Sequence, residues 1–344
     1  MEQNKVQEYS KRTSLAMANF YNSVIKVFPN CIEKISSSSG YYIGLKDSIV
    51  FTSFFIDFLE KNGFHLHTID KASHKGRGID IDLRNPITGG VMTGSSSGTA
   101  VNVFLGINDV GIGTDGGGSV LAPAAALNLV GYIHPEVGKK MLSLEKIVKS
   151  STDGISFTPS IGLISREIDL IKQLAQIFTD HKDQEKTVII AVDSEINKDL
   201  LSVDMETMKI ITKDFSYKYQ ESRKKLIDEV ERLFLDVDII ISKEGPIDIY
   251  GIGETLIGHF DDQTRENQIA GKKGFIRVVN MCNAIGLIVP TTSLATGYLI
   301  IGKPQSGIEQ QMFHLAKKLI AKEDRLLKNY FLDHHSYFDD GYNL

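Results

Sequence analysis

The stretch TGSSSGTAVNVFLGINDVGIGTDGGGSVLAP, residues 93–123, decides how this chain is read. It holds two clusters of glycine and small hydroxyl residues, TGSSSGTA (93–100) and GTDGGGSVLAP (113–123), with a largely apolar run between them. Glycine has no Cβ, so consecutive glycines let the backbone turn several N–H groups toward one point. A serine ending such a run, as Ser119 follows Gly116, Gly117 and Gly118, stands beside those donors. That layout suits an acyl-transfer nucleophile, which needs an oxygen to attack a carbonyl and N–H groups for the oxyanion that forms. Each cluster alone is a weak signal, because both residue types are common in turns.

Outward from this stretch, the chain alternates between strand and helix patterns. Residues 71–99 form a long polar segment of the kind that, inside a domain, is functional or disordered. AVNVFLGI (100–107) fits a buried helix or strand, and the apolar run VLAPAAALNLVGYI follows the glycine-dense turn. Upstream, the spacing predicts a helix over 8–28, a loop over 35–40, a strand from Tyr41 to Leu45 ending at Lys46, a helix capped by Thr52 or Ser53 that stops near Gly63, and a strand over 64–69. Downstream it predicts helices over 164–178, 217–234 and 309–321, with strands over 187–192, 208–212, 238–241, 285–289 and 298–301. This alternation places the chain in the α/β class. One domain is expected over residues 1–330, followed by a polar, aromatic tail over 331–344. Adjacent His334 and His335 in that tail point apart, so they are expected to be solvated.

Composition narrows the function. The 344 residues are 42% apolar and 24% charged, an ordinary globular balance, and the net charge of -5 argues against a nucleic-acid partner. Cys31 and Cys282 are far apart and form no metal-ligand spacing, which predicts reduced thiols and no metal site. No apolar leader core and no apolar run of about 20 residues is present, so no membrane association is expected and a cytoplasmic location is. No cofactor is expected, and oligomeric state is not legible. A serine hydroxyl needs a base. None of the nine histidines is tied by a motif to either cluster. Lysine can serve when desolvated, and Lys46 follows the apolar YYIGL (41–45).

These segments together resemble the amidase signature family. IGLKDSI (43–49) is similar to that family's lysine motif, RNPITGGVMTGSSSGTA (84–100) to its serine cluster with the lead-in Arg84, Asn85 and Pro86, and GTDGGGSVLAP to its nucleophile loop. GYIHP (131–135) and NMCNAIGLIVP (280–290) extend the likeness, and Ser95 and Ser119 keep the family's spacing of 24 positions. The resemblance implies the amidase signature fold, a central mixed β-sheet covered by helices on both faces. It implies an amidohydrolase that cleaves a carbon–nitrogen amide bond of a small molecule through a Ser-Ser-Lys triad and an acyl-enzyme. Ser119 becomes the nucleophile, Lys46 the base and Ser95 the bridging serine, which the family holds with a cis peptide. Ser96 becomes a supporting hydrogen-bond partner, Asp115 the anchor of the loop, and the N–H groups of Gly116, Gly117, Gly118 and Ser119 the oxyanion hole. On that basis Gly117→Ala is expected to lose turnover.

The match departs from the family at four places. Leu121 stands where an arginine is usual, Ser97 and Thr93 where glycines are usual, and Ser48 where an asparagine is usual. Leu121 cannot make an arginine's hydrogen bonds, so weaker loop order, or an inactive amidase-fold binding or scaffold protein, is the alternative reading. Two look-alike motifs compete as well. GSSSG (94–98) fits a nucleophile elbow centred on Ser96, which requires a strand directly before it. Gly111, Gly113 and Gly116 spell a dinucleotide fingerprint, which requires the glycines to form a phosphate-facing turn.

Overall fold

Continuous apolar runs such as TVIIAV (187–192) and DIII (238–241) demand a sheet buried on both faces. The computed structural model describes residues 5–36, 39–179, 187–201 and 208–333. Its strands are β1 (Val24–Val27), β2 (Tyr41–Lys46), β3 (Phe64–Asp70), β4 (Val110–Asp115), β5 (Val130–His134), β6 (Lys149–Ser150), β7 (Ser156–Phe157), β8 (Ser160–Ser165), β9 (Val188–Asp193), β10 (Met208–Lys213), β11 (Ile239–Glu244), β12 (Ile285–Pro290) and β13 (Gly297–Gly302). Its helices are α1 (Lys5–Ala18), α2 (Ser53–Lys61), α3 (Ser97–Phe104), α4 (Leu121–Ala126), α5 (Lys139–Leu142), α6 (Ile168–Phe178), α7 (Arg223–Asp236), α8 (Asp262–Ala270), α9 (Ile308–Leu319) and α10 (Arg325–Phe331). Eleven strands join in the order β1-β3-β2-β4-β8-β5-β12-β13-β11-β9-β10, while β6 and β7 form a separate ribbon. The pairs β3–β2, β2–β4, β11–β9 and β9–β10 are parallel and the others antiparallel, so the sheet is mixed.

The period-two rule of strands sorts the core into two layers. Ile239 and Ile241 of β11 pack with Ile190, Leu287 and Ile300, against Phe55 of α2, Leu174 of α6 and Met312 of α9. Their neighbour Ile240 faces the other way, with Ala191, Ile288 and Ile301, against Val103 of α3, Ala125 of α4 and Val230 of α7. Helices therefore cover both faces, as the family resemblance implied.

Three boundaries differ from the sequence reading. The helix foreseen over 8–28 ends at Ala18. Asn19 turns the chain at φ +47°, its Oδ1 accepts from the N–H groups of Ser23 and Val24, and β1 follows. The helix foreseen over 164–178 is two elements, because Ser160–Ser165 inserts between β4 and β5 as a strand buried throughout, which erases the alternation that would have revealed it. The helix foreseen from Tyr217 starts at Arg223, where the Ser222 side chain caps it by accepting from the Lys225 N–H. The AVNVF ambiguity resolves as helix, and half of the glycine-dense turn is β4 itself. His334 and His335 lie outside the described residues.

Cys31 and Cys282 are both free thiols, and burial pushes each up to about 12. Among the described residues no helix is long and apolar enough to cross a membrane, and no group of three histidine, cysteine or acidic residues could hold a metal ion.

Gly111 in β4 lets α3 lie directly on the strand. A Cβ there would fall 2.3 Å from Thr99 Cγ2. Gly111→Ala should therefore overpack this contact and cost about 1–3 kcal/mol, seen as a lower urea midpoint with an unchanged slope.

Candidate active site

Parallel pairing of β2 and β4 brings their C-terminal ends to the same edge of the sheet, and these ends carry Lys46 and Asp115. Ser95 lies just ahead of α3 and Ser119 just ahead of α4. The Ser96 N–H donates to the Ser119 carbonyl at 3.2 Å, which ties the two clusters together. Lys46, Ser95 and Ser119 thus line one cavity of about 670 Å³.

Lys46 is 5% exposed. Its Nζ donates to Ser95 Oγ at 2.6 Å and to Thr114 Oγ1 at 3.0 Å. Burial pulls its pKa down to about 7, the nearby Lys149 charge adds to that fall, and the Asp115 carboxylate opposes it. An ammonium in this place loses solvation that two hydroxyls only partly replace. The amine and ammonium forms are therefore both accessible near neutral pH.

Asp115 fixes the loop that follows. Oδ1 accepts from the Gly118 N–H at 2.8 Å, and Oδ2 accepts from the N–H groups of Val120 at 2.6 Å and Leu121 at 3.4 Å. These bonds commit the Gly118 N–H to the carboxylate, so it is not free for an oxyanion. Among the described residues no protein acceptor takes the N–H of Gly116, Gly117 or Ser119, so these three are the available donors. Gly118 instead supplies conformation: at φ +92° its Cβ would also fall 2.6 Å from Ile276 Cγ2. A Cβ on Gly117 would meet nothing closer than 3.4 Å. Alanine fits there and keeps the N–H, so Gly117→Ala is expected to retain turnover, contrary to the sequence reading.

Two more expectations change. Ser96 Oγ is buried without a hydrogen-bond partner, so this residue acts through its backbone N–H and not as a supporting hydroxyl. No cis peptide flanks Ser95; among the described residues the cis bond is Gly245–Pro246, and Gly94 at φ +121° makes the turn before Ser95. The departures from the family pattern have structural uses. Leu121 is fully buried, with a methyl 3.1 Å from where a Gly286 Cβ would stand, and the Asp115 carboxylate holds the loop that precedes it. Thr93 donates through its N–H and its hydroxyl to Asp248, and the Ser97 hydroxyl donates to the Gly94 carbonyl.

Both look-alike motifs fall away. No strand runs into GSSSG, since only an isolated bridge joins Thr93 to Ile79. Gly111 and Gly113 lie inside β4, where a Gly113 Cβ would strike Ser96, so they serve helix packing and form no phosphate-facing turn.

Several residues of this site were not singled out from sequence. Thr114 orients the lysine. The β6–β7 ribbon brings in Lys149 and sets Phe157 against Gly116, where a Cβ would fall 2.2 Å from the ring. Asn280 accepts from the Ser160 hydroxyl and donates to the carbonyls of Thr158 at 3.0 Å and Gly116 at 3.5 Å, which steadies the floor of the loop. Arg223, Lys273 and Arg277 line the same cavity. Of these, Thr114, inside GTDGGGSVLAP, and Asn280, inside NMCNAIGLIVP, lay in segments whose sequence pointed to the site.

The amidase family model matches residues 82–210, a span that holds Ser95 and Ser119 but not Lys46. A mitochondrial glutamyl-tRNA(Gln) amidotransferase subunit of Eremothecium gossypii is 32% identical over 97 residues, which is 28% of this chain and 19% of that protein. The chain thus spans about a fifth of the length of the curated relatives it matches. Among solved structures, a glutamyl-tRNA(Gln) amidotransferase subunit from Thermotoga maritima superposes with a TM-score of 0.61 at 17% identity, covering 91% of each chain. A 6-aminohexanoate cyclic dimer hydrolase complexed with substrate gives 0.61 at 13% identity, covering 94% of this chain and 92% of that one. These likenesses show the shared fold. The matched segment adds a similarity to the amidase family over residues 82–210.

Because Lys46 binds its proton more weakly folded than unfolded, the folded state carries its full cost below about pH 7, and that cost fades as pH rises toward the ordinary lysine value of 10.5. Lys46→Met should therefore gain most melting temperature over wild type below pH 7, with the gain shrinking steadily by pH 10. A gain that grows with pH would contradict this. Separately, Gly118→Ala should lower the melting temperature well beyond Gly117→Ala.

Proposed function

We propose that this chain is an amidohydrolase that cleaves a carbon–nitrogen amide bond in a small-molecule substrate through an acyl-enzyme. The observation that carries the reading is the dry 2.6 Å contact between Lys46 Nζ and Ser95 Oγ, with the lysine poised near neutrality. Such a lysine is matched to general-base work at physiological pH. A chain kept only for binding or scaffolding gains nothing from burying it.

In this reading the neutral Lys46 amine takes the proton of Ser95 while donating its own N–H to Thr114. Ser95 takes the proton of Ser119, and Ser119 Oγ attacks the amide carbonyl. The N–H groups of Gly116, Gly117 and Ser119 receive the developing oxyanion. As the C–N bond breaks, the Ser95 hydroxyl protonates the departing amine and recovers a proton from the Lys46 ammonium. Water then loses a proton along the same path and releases the acid, which returns Ser119 to its hydroxyl form. Hydrolysis and transfer of the acyl group to another amine differ only in which nucleophile enters last.

A serine-reactive fluorophosphonate should add one adduct mass to wild type and none to Ser119→Ala in intact mass spectrometry. With an amide found by library screening, kcat/KM should rise with pH along a limb of apparent pKa about 7, as Lys46 deprotonates. Lys46→Met should lower kcat by about 10²- to 10⁴-fold. An unlabelled wild type would return the chain to the scaffold reading, and full activity in Lys46→Met would remove the lysine from the proposed mechanism.

A further inference from the structure

The cavity beside Ser119 is basic in a protein that is acidic overall. The chain carries a net charge of -5. Yet the cavity wall presents Arg77, Lys149, Arg223, Lys273 and Arg277 in addition to Lys46, against only Asp115 and Glu254. Asp115 is already spent on loop N–H groups. Arg223 is balanced by Asp153, with Nε and Nη2 each 2.7 Å from a carboxylate oxygen.

Lys273 and Arg277 are different. Lys273 is 8% exposed, and among the described residues it makes no hydrogen bond and no ion pair. Its stem runs past Gly253, where a Cβ would fall 2.7 Å from Cδ. Burial pulls its pKa down, with Asp248 and Glu254 opposing from beyond ion-pair range. Arg277 is held by carbonyls alone: Nε donates to Gly274 at 3.2 Å, and Nη2 donates to Lys218 at 2.9 Å and Glu221 at 3.0 Å. That fixes the guanidinium and leaves its charge without a carboxylate in contact. A buried cation without a counter-charge is costly, so a ligand that brings one is favoured at this place.

The segment bearing both cations is locked to the nucleophile loop. Glu244 accepts from the N–H groups of Gly274 at 2.7 Å and Phe275 at 3.1 Å. The Arg277 carbonyl lies 3.7 Å from where a Gly117 Cβ would stand, and Ile276 abuts Gly118. The cations therefore stand at a fixed place relative to Ser119.

Resting on the amidohydrolase reading, we propose that the substrate is an acidic amide, whose carboxylate is received by Lys273 and Arg277 while its amide carbonyl lies at Ser119. An ammonium beside one guanidinium edge matches a single carboxylate in charge and in donor geometry. Lys273 is then the residue that sets specificity for the anion, and it takes no part in the bond-breaking step.

The test is calorimetric binding to the Ser119→Ala protein, using monoamides of linear dicarboxylic acids with three to six carbons, each beside its neutral diamide. At least one monoamide should bind about tenfold or more tightly than its diamide. Adding Lys273→Met should erase that preference while leaving diamide affinity within about twofold, and Lys273→Arg should restore part of it. Lys273→Gln serves if the methionine variant does not fold. Equal binding of every monoamide and diamide, or equal loss of both on changing Lys273, overturns the proposal. Because binding here needs no turnover, failure of wild type to hydrolyse any amide would count against the amidohydrolase reading alone.

Discussion

The site depends on keeping one lysine dry. Lys46 ends a strand that lies between β3 and β4 in an eleven-stranded sheet. Its stem emerges from buried β2, and its Nζ meets two hydroxyls and no carboxylate at bonding distance. A direct ion pair would have held the proton and raised the pKa. The one nearby acid, Asp115, acts at a distance and has its oxygens filled by three backbone N–H groups. The same carboxylate therefore orders the Ser119 loop and avoids locking the lysine in its charged form.

Close backbone approach is the second constraint, and it explains much of the glycine content of residues 94–118. Gly111 and Gly113 admit α3 onto β4, which carries Ser95 toward the strand end where Lys46 sits. Gly94 lies against Pro123 of α4, and Gly118 against Ile276. A side chain at any of these positions would push apart the elements that bring Lys46, Ser95 and Ser119 to one cavity. Glycine here is mainly a spacing device, and in the loop before Ser119 Gly118 also needs the left-handed backbone.

What was legible in the sequence was local. Lys46 at the end of the apolar β2, the Thr52 cap and the strands at 64–70, 239–244 and 285–290 all show in the residues themselves, because each has a clear period or cap. β8 did not show, because a strand buried on both faces loses its alternation. The turn at Asn19 did not show either, since one side chain there ends a helix whose apolar spacing runs on past it. Ser95 and Ser119 were readable through motif spacing, and Thr114 lay in the same segment as Ser119 without a mark of its own, whereas Lys149, Lys273 and Arg277 come from separate segments that only the tertiary fold unites. Ser96 shows the opposite error: a hydroxyl in a serine cluster invites a polar role, but its place against Gly113 leaves the oxygen unpaired and the backbone N–H as the working group.

The cationic side of the cavity rests on a further layer of buried charge. Lys218 and Asp193 pair at 2.7 Å with both side chains fully buried, and the Lys218 carbonyl in turn holds Arg277. Glu244, also buried, is kept by the Ser242 hydroxyl and two backbone N–H groups of the segment that follows Lys273. Burying three charges behind a loop is expensive, and apolar residues could fill the same volume at less cost. The arrangement does what apolar packing cannot: it fixes the direction of backbone donors and acceptors, and through them the direction of a guanidinium. A cavity that only excluded water would not need that. A cavity that must hold one end of a polar substrate while a serine acts at the other end does, because an error of about 1 Å in that span can cost about 10²-fold in rate.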